Sequence, residues 1–132
     1  MSTDALIQAA VQIRARAYAP YSKFFVGAAL RADDGSIFAC CNVENAAYPQ
    51  GVCAEGGAIS MMVAAGHTAI AEVVVAGPKG MACTPCGGCR QKLREFAGPT
   101  CVVTMVDADG DVVLSRTLAE LLPDSFGPDH LA

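Results

Sequence analysis

The chain has 132 residues, of which 53% are hydrophobic and only 17% charged, and its net charge is −4. That length fits one domain with a core of its own, and an acidic balance with no basic run excludes a phosphate-tracking surface, so no nucleic-acid partner is expected. No apolar stretch approaches the ~18 residues of a membrane span, and Met1-Ser2-Thr3-Asp4-Ala5 lacks the basic and apolar regions of a signal peptide, so no membrane association and a cytoplasmic location are expected.

Leu6, Ala9, Ala10, Ile13 and Ala17 recur at helical spacing and predict a helix over 4–17, capped by Ser2, Thr3 or Asp4 and closed before Pro20. Apolar runs over 24–32 and 37–43 flank the turn Asp33-Asp34-Gly35-Ser36 and read as a hairpin. A helix over 53–65 stops at Gly66, and a Val-rich strand follows over 72–76. Residues 86–96 read as a further helix closed by Gly98-Pro99. Strands over 101–106 and 112–115 flank Asp109-Gly110. Thr117-Leu118-Ala119-Glu120 has the form of a capping box, and Pro123 ends that short helix. The order α-β-β-α-β-α-β-β-α predicts an α/β fold, a mixed central sheet with helices on its faces. No repeat or linker divides the chain, so residues 1–132 are expected to form one domain. So small a share of charge in a chain of this kind predicts that part of its surface is covered in an oligomer.

Seven cysteines argue against a disulfide framework and for metal ligation or buried thiols. Cys86 and Cys89 lie three apart at a predicted helix start, where both sulfurs can reach one ion and the helix N-terminus favours thiolate. Cys53, just before another helix, is the natural third ligand. Three protein ligands leave a tetrahedral zinc one open position for water, which ionises near neutral pH when bound there. Glu55 would point away from Cys53 in mid-helix, by about 200°. With Cys53 at the cap, both can face one cavity, and the carboxylate can take the water's proton. A Pro-Cys-x-x-Cys segment is also compatible with a thiol-redox pair. A structural zinc module would need a fourth ligand, for which Cys83 is the nearby candidate. Cys40, Cys41 and Cys101 lie in strand-like runs as small hydrophobes, and the isolated His67 and His130 are expected at the surface.

Several segments together resemble the small, homotetrameric cytidine deaminases in order and spacing, from about Tyr18 to Leu131. They are Tyr21-Ser22-Lys23-Phe24, Val26-Gly27-Ala28-Ala29, Asn42-Val43-Glu44-Asn45, Tyr48-Pro49, Cys53-Ala54-Glu55, Pro85-Cys86-Gly87-Gly88-Cys89-Arg90-Gln91 and the tail Leu121-Leu122-Pro123-Asp124-Ser125-Phe126-Gly127-Pro128. The resemblance implies a three-layer α/β/α fold with a mixed sheet of about five strands. It implies one Zn²⁺ per subunit on Cys53, Cys86 and Cys89, and hydrolysis of cytidine and deoxycytidine to uridine and deoxyuridine plus ammonia, a pyrimidine-salvage reaction. Glu55 is then the group that moves protons.

By the same resemblance Asn42 and Glu44 bind the ribose hydroxyls, and on a strand they would share one face. Phe24 lies against the pyrimidine, and Ala54 with Glu55 holds its polar edge. Ala46, Tyr48, Gly51 and Phe126 belong to sites completed by neighbouring subunits of a homotetramer. Phe126 has no periodic partner in its own segment, which suits a stacking or interface role. One departure stands out: Gly56-Gly57 occupies the place where many members carry Arg-Thr. The pair is expected to admit another backbone at a subunit interface, with helix dipoles or Arg90 offsetting the thiolate charge.

Overall fold

The Ser2 hydroxyl accepts the Asp4 N–H and opens helix α1 (Thr3–Arg14), in a computed structural model that describes residues 2–132. The helix stops three residues short of the expected end, and Arg14 Nε donates to the Phe25 carbonyl at 2.9 Å. Strand β1 (Gly27–Ala32) begins later than expected, and β2 (Ile37–Cys41) ends earlier. The physical reason is Asn42. Its Oδ1 accepts the Val26 N–H at 2.9 Å and its Nδ2 donates to the Phe24 carbonyl at 2.9 Å, so a side chain stands in for the next rungs of the ladder.

The β1–β2 hairpin turns at Gly35, whose φ of 93° suits glycine. After α2 (Ala54–Ala64) and Gly66, also at positive φ, strand β3 (Ile70–Ala76) pairs antiparallel on the other side of β1. Helix α3 (Gly87–Phe96) crosses over to β4 (Val102–Val106), which runs parallel to β3. Strand β5 (Val112–Thr117) returns antiparallel, and α4 (Leu118–Leu121) starts with the expected capping box, Thr117 with Glu120. The sheet order is β2-β1-β3-β4-β5.

α1 covers one face of the sheet through Leu6 and Ala10 against Ala29, Val74 and Val106. On the other face Ala58, Met62, Leu93 and Leu118 pack on Leu30, Val73, Val75 and Met105. These are the three layers expected, with one mixed five-stranded sheet. No helix among the described residues is long and apolar enough to cross a membrane.

Small residues in β1 bring the layers close. A Cβ at Gly27 would stand 2.2 Å from the Ala10 carbonyl oxygen and 2.8 Å from the Arg14 nitrogen, both backbone atoms of α1. Gly27→Ala should therefore destabilise the fold by about 1–3 kcal/mol, read as a lower urea midpoint at unchanged slope. An unchanged midpoint would show that α1 gives way freely.

Asp107, at the end of β4, ties the β4–β5 turn to the loop before α3. Its carboxylate accepts the Asp109, Asp111 and Gly80 N–H groups at 2.9, 3.1 and 3.1 Å. The Gly80 N–H, followed by those of Asp111 and Asp109, holds this acid below its ordinary 3.8. A depressed carboxylate stabilises fully above its unfolded value and loses that contribution as pH falls through its folded one. Asp107→Asn should thus flatten the acid limb of stability below about pH 4. An identical limb in denaturant titrations of both proteins would dismiss the clamp.

Candidate active site

Cys53 caps α2 and Cys86 caps α3, both with extended backbone and neither with a side-chain bond to its own helix. A Ser or Asp at an N-cap turns its oxygen onto the helix's free N–H groups. These two thiols instead converge with Cys89, in the first turn of α3, and the three sulfurs lie within 4.8 Å of one another. Cys89 is buried while Cys53 and Cys86 are exposed, so the trio is open on one side. The group does not include Cys83, whose half-buried thiol is pushed up to about 11, chiefly by burial. Three soft donors with a free side fit zinc with an open position and not a closed four-ligand module.

The trio is polarised even as thiols. Cys53 is drawn down to about 6, first by the hydrogen bond from Cys89, with Cys86 and the positive charge of Lys92 adding and burial opposing. The same bond to Cys53 is the main cause that pushes Cys89 up, with burial next, so Cys89 keeps the shared proton.

Glu55 is only 4% exposed, and burial raises its carboxyl above the ordinary value. Its own N–H, Lys92 and the Cys89 thiol pull the other way. A buried carboxyl balanced in this manner is suited to accepting and returning a proton.

A cavity of about 250 Å³ gathers Phe24, Asn42, Ala54, Glu55, Cys53 and Cys86, with Val26, Cys83 and Thr84 completing its wall. Val26 lies in a family-like segment without a site role assigned to it, and Thr84 carries no signal, although it directly precedes the Pro85-Cys86 segment. Glu44 opens on a second hollow of about 340 Å³ with Tyr21, Ser22, Asn45, Tyr48 and Gly51. Asn42 and Glu44 lie past the end of β2, on either side of Val43, which bridges to Tyr18 and Val52; both side chains bond to the 21–26 segment, although they line different hollows. Glu44 accepts the Tyr21 and Ser22 N–H groups at 3.0 and 3.1 Å and the Ser22 hydroxyl. These bonds, the hydroxyl's first, keep it below the usual carboxylate range.

Ala46 is exposed and lines neither hollow. Neither does Phe126. Its ring is 57% exposed and stacks on His130 with centroids 4.8 Å apart. A short 3₁₀ turn over Pro128–His130 supplies that partner, so Phe126 does have one in its own segment, contrary to expectation. His67 is half-buried against Asp33, Asp34 and the Phe38 ring, also a correction to a plain surface residue. A larger hollow of about 620 Å³ lies between Arg94, α4 and the tail, and it holds none of the metal or proton-transfer residues.

The two glycines after Glu55 have separate reasons. A Cβ at Gly57 would stand 2.7 Å from Cys40 Sγ, so this glycine has a close neighbour on β2 of the same chain. A Cβ at Gly56 would meet Lys92, at 3.7 Å from its Cδ and 4.0 Å from its Nζ. Arg90 is tied to the Pro85 and Leu121 carbonyls, each at 2.7 Å, and Lys92 is the cation over the first turn of α2.

Residues 1–105 match the family model described as the cytidine and deoxycytidylate deaminase zinc-binding region. Fold, thiol trio and buried carboxyl thus fall within the deaminase class. The cytidine deaminase of Sporosarcina psychrophila is 39% identical over 132 residues, covering 100% of this chain and 96% of that protein. The one from Mycobacterium tuberculosis is 38% identical over 122 residues, with 92% and 87% covered. A crystal structure of cytidine deaminase from Burkholderia pseudomallei superposes with a TM-score of 0.88 at 44% identity, covering 96% of this chain and 100% of that one. The chain belongs to the cytidine deaminase family and is an enzyme of that family.

Proposed function

We propose that the chain is a zinc-dependent hydrolase that converts cytidine and deoxycytidine to uridine and deoxyuridine with release of ammonia, serving pyrimidine salvage in the cytoplasm. The observation that carries this reading is the open trio of sulfurs within 4.8 Å, beside a cavity shared with the buried Glu55. Zinc on Cys53, Cys86 and Cys89 supplies a Lewis acid that makes water nucleophilic near neutral pH. Glu55 takes the proton from the attacking water and gives it to N3 of the base. Oxygen adds at C4. Glu55 then takes the proton of the new C4 hydroxyl and delivers it to the amine; the C4–N bond breaks, ammonia departs, and a carbonyl is left at C4.

Phe24 packs on the ring, and Ala54 with Glu55 holds the polar edge of the base. Asn42 keeps one further N–H and one lone pair beyond its bonds to Phe24 and Val26, enough to engage a ribose hydroxyl. Glu44, held charged, accepts from a sugar hydroxyl and repels a sugar phosphate, which favours nucleosides over nucleotides. Ala46, Tyr48, Gly51 and Phe126 complete the sites of neighbouring subunits in a homotetramer. The 77% exposure of Tyr48 and the exposed Val43, Val52 and Met61 support a covered surface of that kind.

Zinc per chain, measured with the loss of cytidine absorbance and a sedimentation profile, tests the reading. One zinc per chain, turnover of cytidine and deoxycytidine, weak turnover of their monophosphates and a tetramer are expected. Turnover by metal-free protein, or full zinc with neither nucleoside consumed, would overturn it.

A further inference from the structure

Lys92 sits on α3 three residues after Cys89, and its side chain reaches back toward the thiol cage. Its Cδ and Nζ lie 3.7 and 4.0 Å from the point where a Cβ at Gly56 would stand. Gly56 belongs to the first turn of α2, the turn that Cys53 caps and that carries Glu55. Lys92 enters no ion pair or hydrogen bond among the described residues, whereas Arg90, two residues earlier, is held by two backbone carbonyls. An uncommitted ammonium thus lies over the side of the cage that position 56 leaves bare.

Three thiolates on a divalent ion sum to −1; the sulfurs repel one another and the excess lowers the ion's Lewis acidity, unless fixed positive charge offsets it. The N-termini of α2 and α3 contribute about half a charge each. A full charge from Lys92 exceeds either contribution.

We propose that Lys92, admitted by the bare Gly56, is a positioning residue that balances the charge of the thiolate cage and strengthens its hold on zinc. The inference rests on the zinc reading above and concerns metal affinity, not contact with substrate.

The test uses purified holoenzyme and a chromophoric chelator in competition for zinc, at low and at high salt. Lys92→Met keeps the length of the side chain and removes its charge. It should bind zinc about tenfold more weakly, the lower end of what a supporting residue contributes, because Lys92 is exposed. Lys92→Arg should stay within about twofold of wild type, and Gly56→Arg added to Lys92→Met should recover most of the loss. High salt should narrow the gap between wild type and Lys92→Met. Equal zinc affinity in wild type and Lys92→Met would overturn the inference, as would Lys92→Arg losing as much as Lys92→Met, since packing of the stem would then be the cause. A wild-type protein that holds no zinc would overturn the functional reading itself. Zinc held equally by wild type and Lys92→Met, with cytidine consumed, would overturn only the role of Lys92.

Discussion

Glu55→Gln should lower kcat by about 10²–10⁴-fold, the usual worth of a general acid–base group, at unchanged zinc content. Glutamine keeps the volume of the side chain, so the cavity walls, including Phe24 and Ala54, stay in place. No other carboxyl lines that cavity, and Glu44 is tied to Tyr21 and Ser22 in the second hollow. No neighbour can therefore take over the proton. The variant should also melt at the same temperature or higher, since a neutral amide escapes the desolvation cost that burial imposes on the acid. Lost turnover with retained or raised stability is the signature of a group kept for chemistry. Near wild-type turnover in a fully zinc-loaded variant would remove Glu55 from the mechanism.

Cys89→Ser should do more, because Cys89 is both a proposed ligand and a core residue with 0% exposure. A serine hydroxyl is not ionised at neutral pH, so position 89 still donates a hydrogen bond to Cys53 but no longer offers a thiolate to a metal ion. Zinc content should fall to a trace, turnover should drop by more than about 100-fold, and the thermal midpoint should fall. Chelator-treated wild type should lose activity likewise and regain it on addition of zinc. Cys83→Ser is the control: it changes a cavity wall outside the trio and should keep its zinc. A Cys89→Ser protein that turns over cytidine without metal would refute zinc catalysis.

Much of the architecture was legible because it is encoded locally. The Ser2 cap, the Thr117–Glu120 box and the turns at Gly35, Gly66 and Gly110 each depend on a few adjacent residues, and each is found. The pairing of Cys86 with Cys89 was legible for the same reason, since three positions in a helix set their separation. What failed to show involves partners distant in sequence. Asn42 ends two strands with its side chain by bonding to Phe24 and Val26, and no periodicity signals that. Glu44 finds Tyr21 and Ser22 across more than twenty positions. The neighbours that Gly56 and Gly57 leave room for lie on α3 and β2, far away in sequence. Phe126 is the exception, because its partner His130 is only four positions away. A short 3₁₀ turn over Pro128–His130 makes that pair, outside any longer helix or strand whose pattern would have announced it.

The placement of the capping cysteines also governs the order of events in folding. Cys53 and Cys86 are separated by helix α2, strand β3 and two connections, and they meet only when α2 and α3 have both docked on the same face of the sheet. An unfolded chain must close a loop of more than thirty residues to offer three sulfurs at once, so the cage is complete only when both helix ends are in place. Interactions that are absent from the transition state leave the folding rate alone and slow unfolding. A zinc ion held by all three sulfurs would accordingly act as a brake on opening. The lifetime of such a loaded enzyme would depend on how tightly two helix ends hold one ion between them.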